Sequence, residues 1–565
     1  MKKILGLNAI GFNTSASLII NGKIVGAIEE ERLNREKRTR KFPILSIKYL
    51  LSQNKINLQD LDCICVSWNP LINLEKYQKN FNDNIRHIPE ILYSIPGNIF
   101  NLLSNINEEY IKQTFQYKKK NIDIFYVNHH LSHASNYFFS GFKNASILTT
   151  DAFGEKQSSG MYIGKKNEIK KIFSQNFPNS LGSFYSTFTE YCGFRPQNDE
   201  WKLMGAAAYG KRTKTYDKLR ALVNLKQDGS FELDLNYFNF YNFHRPKYYN
   251  KRLIRYLGLK PNQNPWKLKN AYYDLAFASQ SVFEEIYLNM INGLYKKNKK
   301  IKNLVVSGGS ALNSLANGRI LKSTEFENLF IPPVPDDSGA GLGAASFVNN
   351  VIYKKKIFPM KNNYLGPQFS DIEIEKTLKL YKIKFRKIKN VCAIAAKSVS
   401  DKKIVGWFQG KLEFGDRALG NRSIIADPRD KKIKDKINDC VKYREKFRPF
   451  APAILEEYCS KYFYNHEKSI FMEKALKIKK AIQRKIPAVV HNDGTGRLQS
   501  VNKENNLKFY NLIDEYRKLT GIPLVLNTSL NYQGDPIACK PEDAIKTFYL
   551  SGLDLLYINN FELYK

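Results

Sequence analysis

The stretch Ile122-Asp123-Ile124-Phe125-Tyr126-Val127-Asn128-His129-His130-Leu131-Ser132-His133, followed by Ala145-Ser146-Ile147-Leu148-Thr149-Thr150-Asp151, decides how the rest of this chain is read. The chain holds seven histidines, and three of them fall in one window of five residues. His129 and His133 are four apart, so on a helix their imidazoles share a face one turn apart, the spacing by which two neutral imidazoles bind one divalent metal. The run from Ala145 reads as a buried strand that delivers Asp151 to its end, where open α/β sheets place ligands and catalytic groups. A lone histidine pair would read as a cap and a surface residue. Three histidines beside a strand-borne carboxylate, in so histidine-poor a chain, point to a metal or catalytic site.

Working outward, 565 residues exceed what one core organises, so two or three domains are expected. No run of eighteen apolar residues occurs, and Lys2-Lys3-Ile4-Leu5-Gly6 passes straight into a strand pattern; the expectation is a cytoplasmic protein without a membrane partner. Seven cysteines without a Cys-x-x-Cys pair argue against a disulfide framework, and Cys63-x-Cys65 reads as core filling. The net charge of +36 raises the question of nucleic acid. The lysines are scattered rather than focused, so nucleic acid is not an expected partner, and part of the charge is read as drawing in anionic substrates.

Toward the N-terminus, Ile4–Asn8, Gly11–Ser17, Leu18–Ile20 and Asn21-Gly22 read as strand, small-residue loop, strand and tight hairpin turn. Such a loop wraps phosphate in actin-like folds. Glu29 to Arg40 reads as an ordinary charged helix face, and residues 70–120 as a polar insertion. Farther on, Lys202-Leu203-Met204-Gly205 suits close approach to an anion or nucleotide, or equally helix packing. Leu304–Asn313 is a buried strand running into Ser307-Gly308-Gly309 and a helix start that offers free N–H groups. Asp336-Asp337-Ser338-Gly339-Ala340-Gly341 repeats the pattern with a carboxylate. Two strand-glycine-helix units favour an actin-like ATPase core over a dinucleotide fold.

Beyond a Lys/Pro/Asn-rich linker at 355–368 lies a dense constellation. It comprises Glu413-Phe414-Gly415-Asp416-Arg417-Ala418-Leu419-Gly420-Asn421-Arg422-Ser423, Lys446-Phe447-Arg448-Pro449-Phe450, Arg497, and Asn527-Thr528-Ser529-Leu530-Asn531. Arginines set among glycines, prolines and aromatics suit a bidentate grip on phosphate or carboxylate; salt bridges holding a small domain are the competing reading.

This ordered set, with Glu29-Glu30-Glu31-Arg32 and His129-His130-Leu131-Ser132-His133-Ala134, resembles the O-carbamoyltransferases of the nodulation-protein U and antibiotic-biosynthesis type (NodU/CmcH). The resemblance implies an α/β protein: an actin/Hsp70-like (ASKHA) ATPase-fold domain over 1–360 and a smaller α/β YrdC-like carbamoyl-adenylate-forming domain over 361–565. It implies carbamoyl phosphate and ATP as substrates, a carbamoyl adenylate intermediate, and a sugar or natural-product hydroxyl as acceptor, and it leaves room for a homodimer. His129, His133, Asp151 and Asp337 would hold a divalent metal, iron or another such as Mg or Mn. Lys202, Gly205, Ser307, Gly308, Gly309, Asn313 and Gly339 would line ATP or adenylate. Arg417, Arg422, Arg448, Asn527 and Ser529 would hold carbamoyl phosphate. Many members of the family carry a histidine followed by Asp or Asn where this chain has Phe12-Asn13, so the catalytic residues are sought in His130, Asp151 and Asn13, with His130 or Asp151 as the base. Acceptor contacts are expected in 70–120 and 237–270. Two rival functions are an RNA-linked carbamoylating or binding protein and a catalytically weakened sugar-binding relative.

Overall fold

Asn21 and Gly22 both take positive φ, 51° and 73°, which is the backbone a two-residue hairpin turn of the expected kind requires. They join β2 (Ser15–Ile20) to β3 (Lys23–Glu29), and β2 runs antiparallel to β1 (Lys3–Asn8). In this computed structural model, which describes residues 2–11, 13–70, 109–242, 246–445 and 447–565, the hairpin starts the first of two related sheets. β4 (Cys63–Val66) lies parallel to β1, β6 (Lys120–Val127) lies parallel to β4, and β5 (Tyr110–Tyr117) closes the edge antiparallel to β6. The order is therefore β3-β2-β1-β4-β6-β5. Residues 110–117, expected within an insertion, are instead an edge strand; 71–108 lie outside the described residues. Cys63 and Cys65 sit buried in β4 with sulfurs 3.9 Å apart, as core filling predicts.

The second sheet repeats the scheme. β7 (Asn144–Thr150) pairs antiparallel with β8 (Gln157–Lys165), which pairs antiparallel with β9 (Glu168–Asn176). After a small hairpin, β10 (Val223–Leu225) and β11 (Phe231–Leu233), come β12 (Asn303–Ser307), parallel to β7, and β13 (Asn328–Phe330), parallel to β12. The order β9-β8-β7-β12-β13 matches β3-β2-β1-β4-β6 position for position, parallel and antiparallel neighbours included. This duplication is the actin/Hsp70-type ATPase architecture that the sequence pattern predicts.

Residues Met1–Ala27 and Arg40–Met360 form one compact unit, and Ile28–Thr39 with Lys361–Lys565 form the other. The second unit is α/β as well, built on a nine-stranded mixed sheet over 385–563 in which Arg422–Ala426, Leu524–Ser529 and Ala451–Leu455 are neighbouring antiparallel strands. Its core gathers Trp407, Ile424, Ile425, Ile454, Phe509, Tyr516 and Leu526. The segment 28–39 is not the solvated charged face expected of it. Glu29, Glu30, Glu31 and Arg32 are all at most 2% exposed.

In the first unit, the helix Asp337–Phe347 packs on β1 and on the helix His129–Ala134. It approaches so closely that a Cβ at Gly341 would lie 2.5 Å from the Asn8 backbone nitrogen, and one at Gly343 would lie 2.0 Å from the Ser132 carbonyl oxygen. Gly339, expected to line the adenylate, has its space filled by backbone too: a Cβ there would lie 2.0 Å from the Val334 carbonyl oxygen. Replacing Gly341 by alanine is expected to destabilise the protein by about 2 kcal/mol or more, because the backbone it meets cannot yield as a side chain can. Chemical denaturation measures this, and an unchanged midpoint would contradict the packing described.

Candidate active site

Asn128 caps the helix His129–Ala134 by accepting the Leu131 N–H at 2.9 Å, which starts the helix where both imidazoles turn inward. His129 Nε2 and His133 Nε2 face each other at 3.1 Å. Asp151, at the end of β7, brings Oδ2 to 3.4 Å from His133 Nε2 and 3.9 Å from His129 Nε2. Asp337, at the start of the glycine-rich helix, brings Oδ1 to 3.5 Å from His129 Nε2 and 3.7 Å from His133 Nε2. Four ligand-type atoms thus lie within 4.8 Å of one another. Ligands about 2.1 Å from one cation are separated from each other by about 3.0–3.5 Å; the histidine–histidine and histidine–carboxylate separations of 3.1–3.9 Å come near that spacing, as a divalent ion would need.

Electrostatics support the same assignment. Burial disfavours charge on His133, yet the carboxylates of Asp151 and Asp337 outweigh it and push its pKa up to about 9. His129 is raised in the same sense, against burial and against His133. Burial alone would raise Asp151, but its histidine partners hold it well below the usual carboxylate range. Four converging groups that attract positive charge suit a cation. Its supports are built in: Asp151 Oδ2 accepts the Gly309 N–H at 2.9 Å, and Asp151 Oδ1 accepts the Ala152 N–H at 2.7 Å. Glu155, which the sequence pattern did not single out, accepts the N–H groups of His129 and Asn69, each at 2.8 Å.

The base candidates fare differently. His130 is fully buried with Nδ1 3.0 Å from Thr149 Oγ1 and Nε2 3.2 Å from the Gln157 carbonyl, and burial with its two histidine neighbours lowers it to about 3. Its nitrogens are occupied away from the cluster, so it is a packed core residue. Both Asp151 oxygens are engaged as described. Phe12 lies outside the described residues, while Asn13 donates from Nδ2 to Ser338 Oγ at 2.8 Å and buries its Oδ1 without a hydrogen-bond partner. A neutral amide cannot take the proton; Asn13 can only orient.

Of the residues expected to line a nucleotide, the Ser307-Gly308-Gly309 turn supports Asp151. Gly308 takes φ 96°, and a Cβ there would lie 2.2 Å from the Thr150 carbonyl oxygen. Ser307 Oγ accepts from Asn136 Nδ2 at 3.1 Å. Asn313 is buried in a side-chain pair with Gln280. Lys202 sits 3.1 Å from Asp199, on the helix Glu200–Ala207 that also carries Gly205.

The second unit gathers cations. Lys442 Nζ donates to Ser529 O at 2.5 Å, Asn531 Oδ1 at 2.7 Å and Asn531 O at 2.9 Å, and lies 3.2 Å from Ser529 Oγ. Burial, then Arg444, Lys37 and Arg448, hold its pKa well below the ordinary lysine value. Arg444 is lowered by burial, Arg448 and Arg497, and Arg497 by burial, Arg417 and Arg448. Arg444 Nη2 and Arg497 Nε are buried without hydrogen-bond partners. Like charges crowded this way suit an anion. Arg417 and Arg448 belong to this group as predicted residues, and Ser529 borders it through Lys442. Lys442 and Arg444 escaped sequence reasoning because they fall among the many lysines of 431–446, where no single cation stands out.

Two expected phosphate ligands are corrected. Arg422 is 0% exposed, stacks its guanidinium over Phe408 at 3.6 Å, and donates to the carbonyls of Gln409, Gly410, Asn421 and Pro367. Its fork is spent on backbone. Asn527 donates to the Ala418 carbonyl and to Gln499 Oε1. Both are engaged in holding the backbone around the loop that carries Arg417.

Family comparison agrees with this two-part design. Residues 3–346 match the model described as Carbamoyltransferase N-terminus, and residues 396–565 match Carbamoyltransferase C-terminus. The chain belongs to the carbamoyltransferase family and is a carbamoyltransferase enzyme. It is 32% identical to Nodulation protein NolNO of Sinorhizobium fredii, over 99% of this chain and 80% of that one. It is 33% identical to an uncharacterized protein of Synechocystis sp., over 100% and 97%. Nodulation protein U of Rhizobium fredii is 36% identical over 41% of this chain and 39% of that protein. Among solved structures, full-length HypF in the phosphate- and nucleotide-bound form aligns at 12% identity and TM-score 0.33, over 62% of this chain and 46% of that one. The fold rests on the strand order described above. Among the described residues no helix is long and apolar enough to cross a membrane.

A metal must displace protons from the His129/His133 pair, so divalent-metal affinity is expected to fall as pH drops from 9 toward 6. Without metal, the proton on His133 stabilises the fold fully below pH 6.5, and that contribution is lost as pH rises through about 9. Thermal unfolding at pH 6 and 9, with and without divalent metal, checks both: metal should restore stability at pH 9, and an equal effect at both values would contradict the ligand set.

Proposed function

We propose that the chain makes carbamoyl adenylate from carbamoyl phosphate and ATP in its second unit and transfers the carbamoyl group to a hydroxyl of a sugar or natural product in its first. The observation that carries this reading is the buried cation group around Lys442, Arg444 and Arg497, which suits the phosphates of both substrates.

The chemistry balances with water as co-reactant. Carbamoyl phosphate loses inorganic phosphate to leave carbamate. A carbamate oxygen bonds to the α-phosphorus of ATP, and the bond to the β-phosphate oxygen breaks to release pyrophosphate. The acceptor hydroxyl oxygen then bonds to the carbamoyl carbon, AMP departs with the mixed-anhydride electron pair, and the hydroxyl proton passes to solvent. Arg417, Arg448 and Arg444 would hold the phosphate groups and offset the charge gathering on the departing phosphates. Lys442 would keep the Ser529–Asn531 loop in place. In the first unit, His129, His133, Asp151 and Asp337 would hold a divalent cation, iron or another, which supplies Lewis acidity toward a carbonyl or phosphoryl oxygen. The turn Gly308-Gly309 fixes Asp151, and Asn13 orients what enters beside Ser338.

Arg417→Ala is expected to reduce carbamoyl-phosphate-dependent pyrophosphate release by about 100-fold or more, as loss of a fixed charge-stabilising donor does elsewhere. His129→Ala/His133→Ala should keep that release while losing bound metal and transfer to the acceptor. Full release in the first variant, or wild-type metal content in the second, would refute the respective roles.

A further inference from the structure

The segment Ile28–Thr39 leaves the first unit, joins the second, and spends its buried charges on two loops there. Glu29 Oε1 accepts the Gly415 N–H at 2.7 Å, and Arg32 Nη2 donates to the Gly415 carbonyl at 2.8 Å, so both faces of that residue's backbone are gripped. Arg38 Nη2 reaches Asp416 Oδ2 at 3.2 Å. These two residues directly precede Arg417. Toward the other loop, Arg35 donates to the carbonyls of Pro536 and Ile537 at 2.9 and 2.8 Å and lies 3.4 Å from Asp543 Oδ1. Asn531 Nδ2 donates to the Asp535 carbonyl within that same loop, and Asn531 Oδ1 in turn accepts from Lys442.

Within the segment the charges brace one another. Arg32 Nε lies 3.5 Å from Glu29 Oε2, Arg32 also pairs with Glu31, and Glu31 Oε2 accepts the Arg38 N–H at 2.6 Å. Ordinary surface pairing would not bury four consecutive ionisable residues. Such burial is costly unless the groups are engaged by fixed partners: Glu29 and Arg32 find theirs in the Gly415 backbone beside Arg417, and Glu31 finds its own in Arg32 and the Arg38 N–H.

We propose that Glu29, Arg32, Arg35 and Arg38 are positioning residues of the anion site in the second unit: they hold Gly415-Asp416 and residues 535–543 so that Arg417 and the Ser529–Asn531 loop anchored by Lys442 keep a fixed separation. A misplacement of 1 Å in such a site costs about 100-fold in rate. The proposal rests on the reading of this site as the one that takes the phosphates of carbamoyl phosphate and ATP.

The test uses the full chain and two separate readouts. Binding of inorganic pyrophosphate is titrated by calorimetry, and the KM for carbamoyl phosphate is read from pyrophosphate release, for wild type, Glu29→Gln, Arg38→Gln and Arg35→Gln, with thermal midpoints measured alongside. The expected result is a rise of about tenfold in pyrophosphate Kd and in KM, with bound metal in the first unit unchanged and with Arg38→Lys recovering most of the loss. If Glu29→Gln unfolds the chain, Arg38→Gln and Arg35→Gln carry the same reading, since their side chains are only partly buried. Wild-type pyrophosphate affinity in folded variants would overturn the proposal, as would a wild-type chain that does not bind pyrophosphate. A wild-type chain that binds pyrophosphate, with variants that bind it weakly, but which releases none from ATP and carbamoyl phosphate, would refute the functional reading and leave the positioning role standing.

Discussion

The cluster of His129, His133, Asp151 and Asp337 in the first unit depends on one close approach. The helix Asp337–Phe347 can cross β1 and the histidine helix at backbone contact because glycines stand where side chains would collide. That approach brings Asp337 within reach of His129 and His133, while the strand β7 supplies Asp151 from the other sheet. Each half of the duplicated fold thus contributes. His129 follows the last parallel strand of the first sheet, and Asp151 ends the central strand of the second. Packing geometry, more than any single bond, sets the chemistry available there.

The second unit relies on the opposite device. There the chain crowds like charges and buries them, and Lys442, Arg444 and Arg497 all feel a field that disfavours their own ionised forms. Under the proposed reading a polyanion would relieve that field, and its binding would draw on charges already held in place, without the ordering of flexible side chains that a surface lysine patch requires.

What the sequence disclosed follows physical lines. The histidine pair and Asp151 stood out because helical spacing and a strand pattern bring such residues together, Asp337 joined them only through the family resemblance, and the two strand-glycine-helix units disclosed the duplicated fold. The arginines were legible as a group but not one by one: nothing in the string around Arg422 tells that its fork turns back onto four carbonyls while Arg417 joins the cation cluster. Lys442 and Arg444 were hidden by background, since a lysine among lysines carries no contrast. Glu29 to Arg32 looked like solvated helix for the same reason, because burial of a charged run depends on partners almost four hundred residues away, such as Gly415. His130 shows the converse: it was sought as a base in place of the histidine missing at position 12, but a neighbour on a helix points some 100° away from His129, and its ring nitrogens meet Thr149 and Gln157.

The excursion of residues 28–39 has a bearing on how the polypeptide matures. As the chain emerges from the ribosome, this acidic-basic strip is made early, yet the loops that accept it appear only after residues 40–360 have been synthesised. The later half is consequently not a module that could be cut out at residue 361 or moved to another gene as a contiguous block. Any shortened form or rearranged fusion that is to keep the second unit whole would have to carry the twelve-residue strip with it.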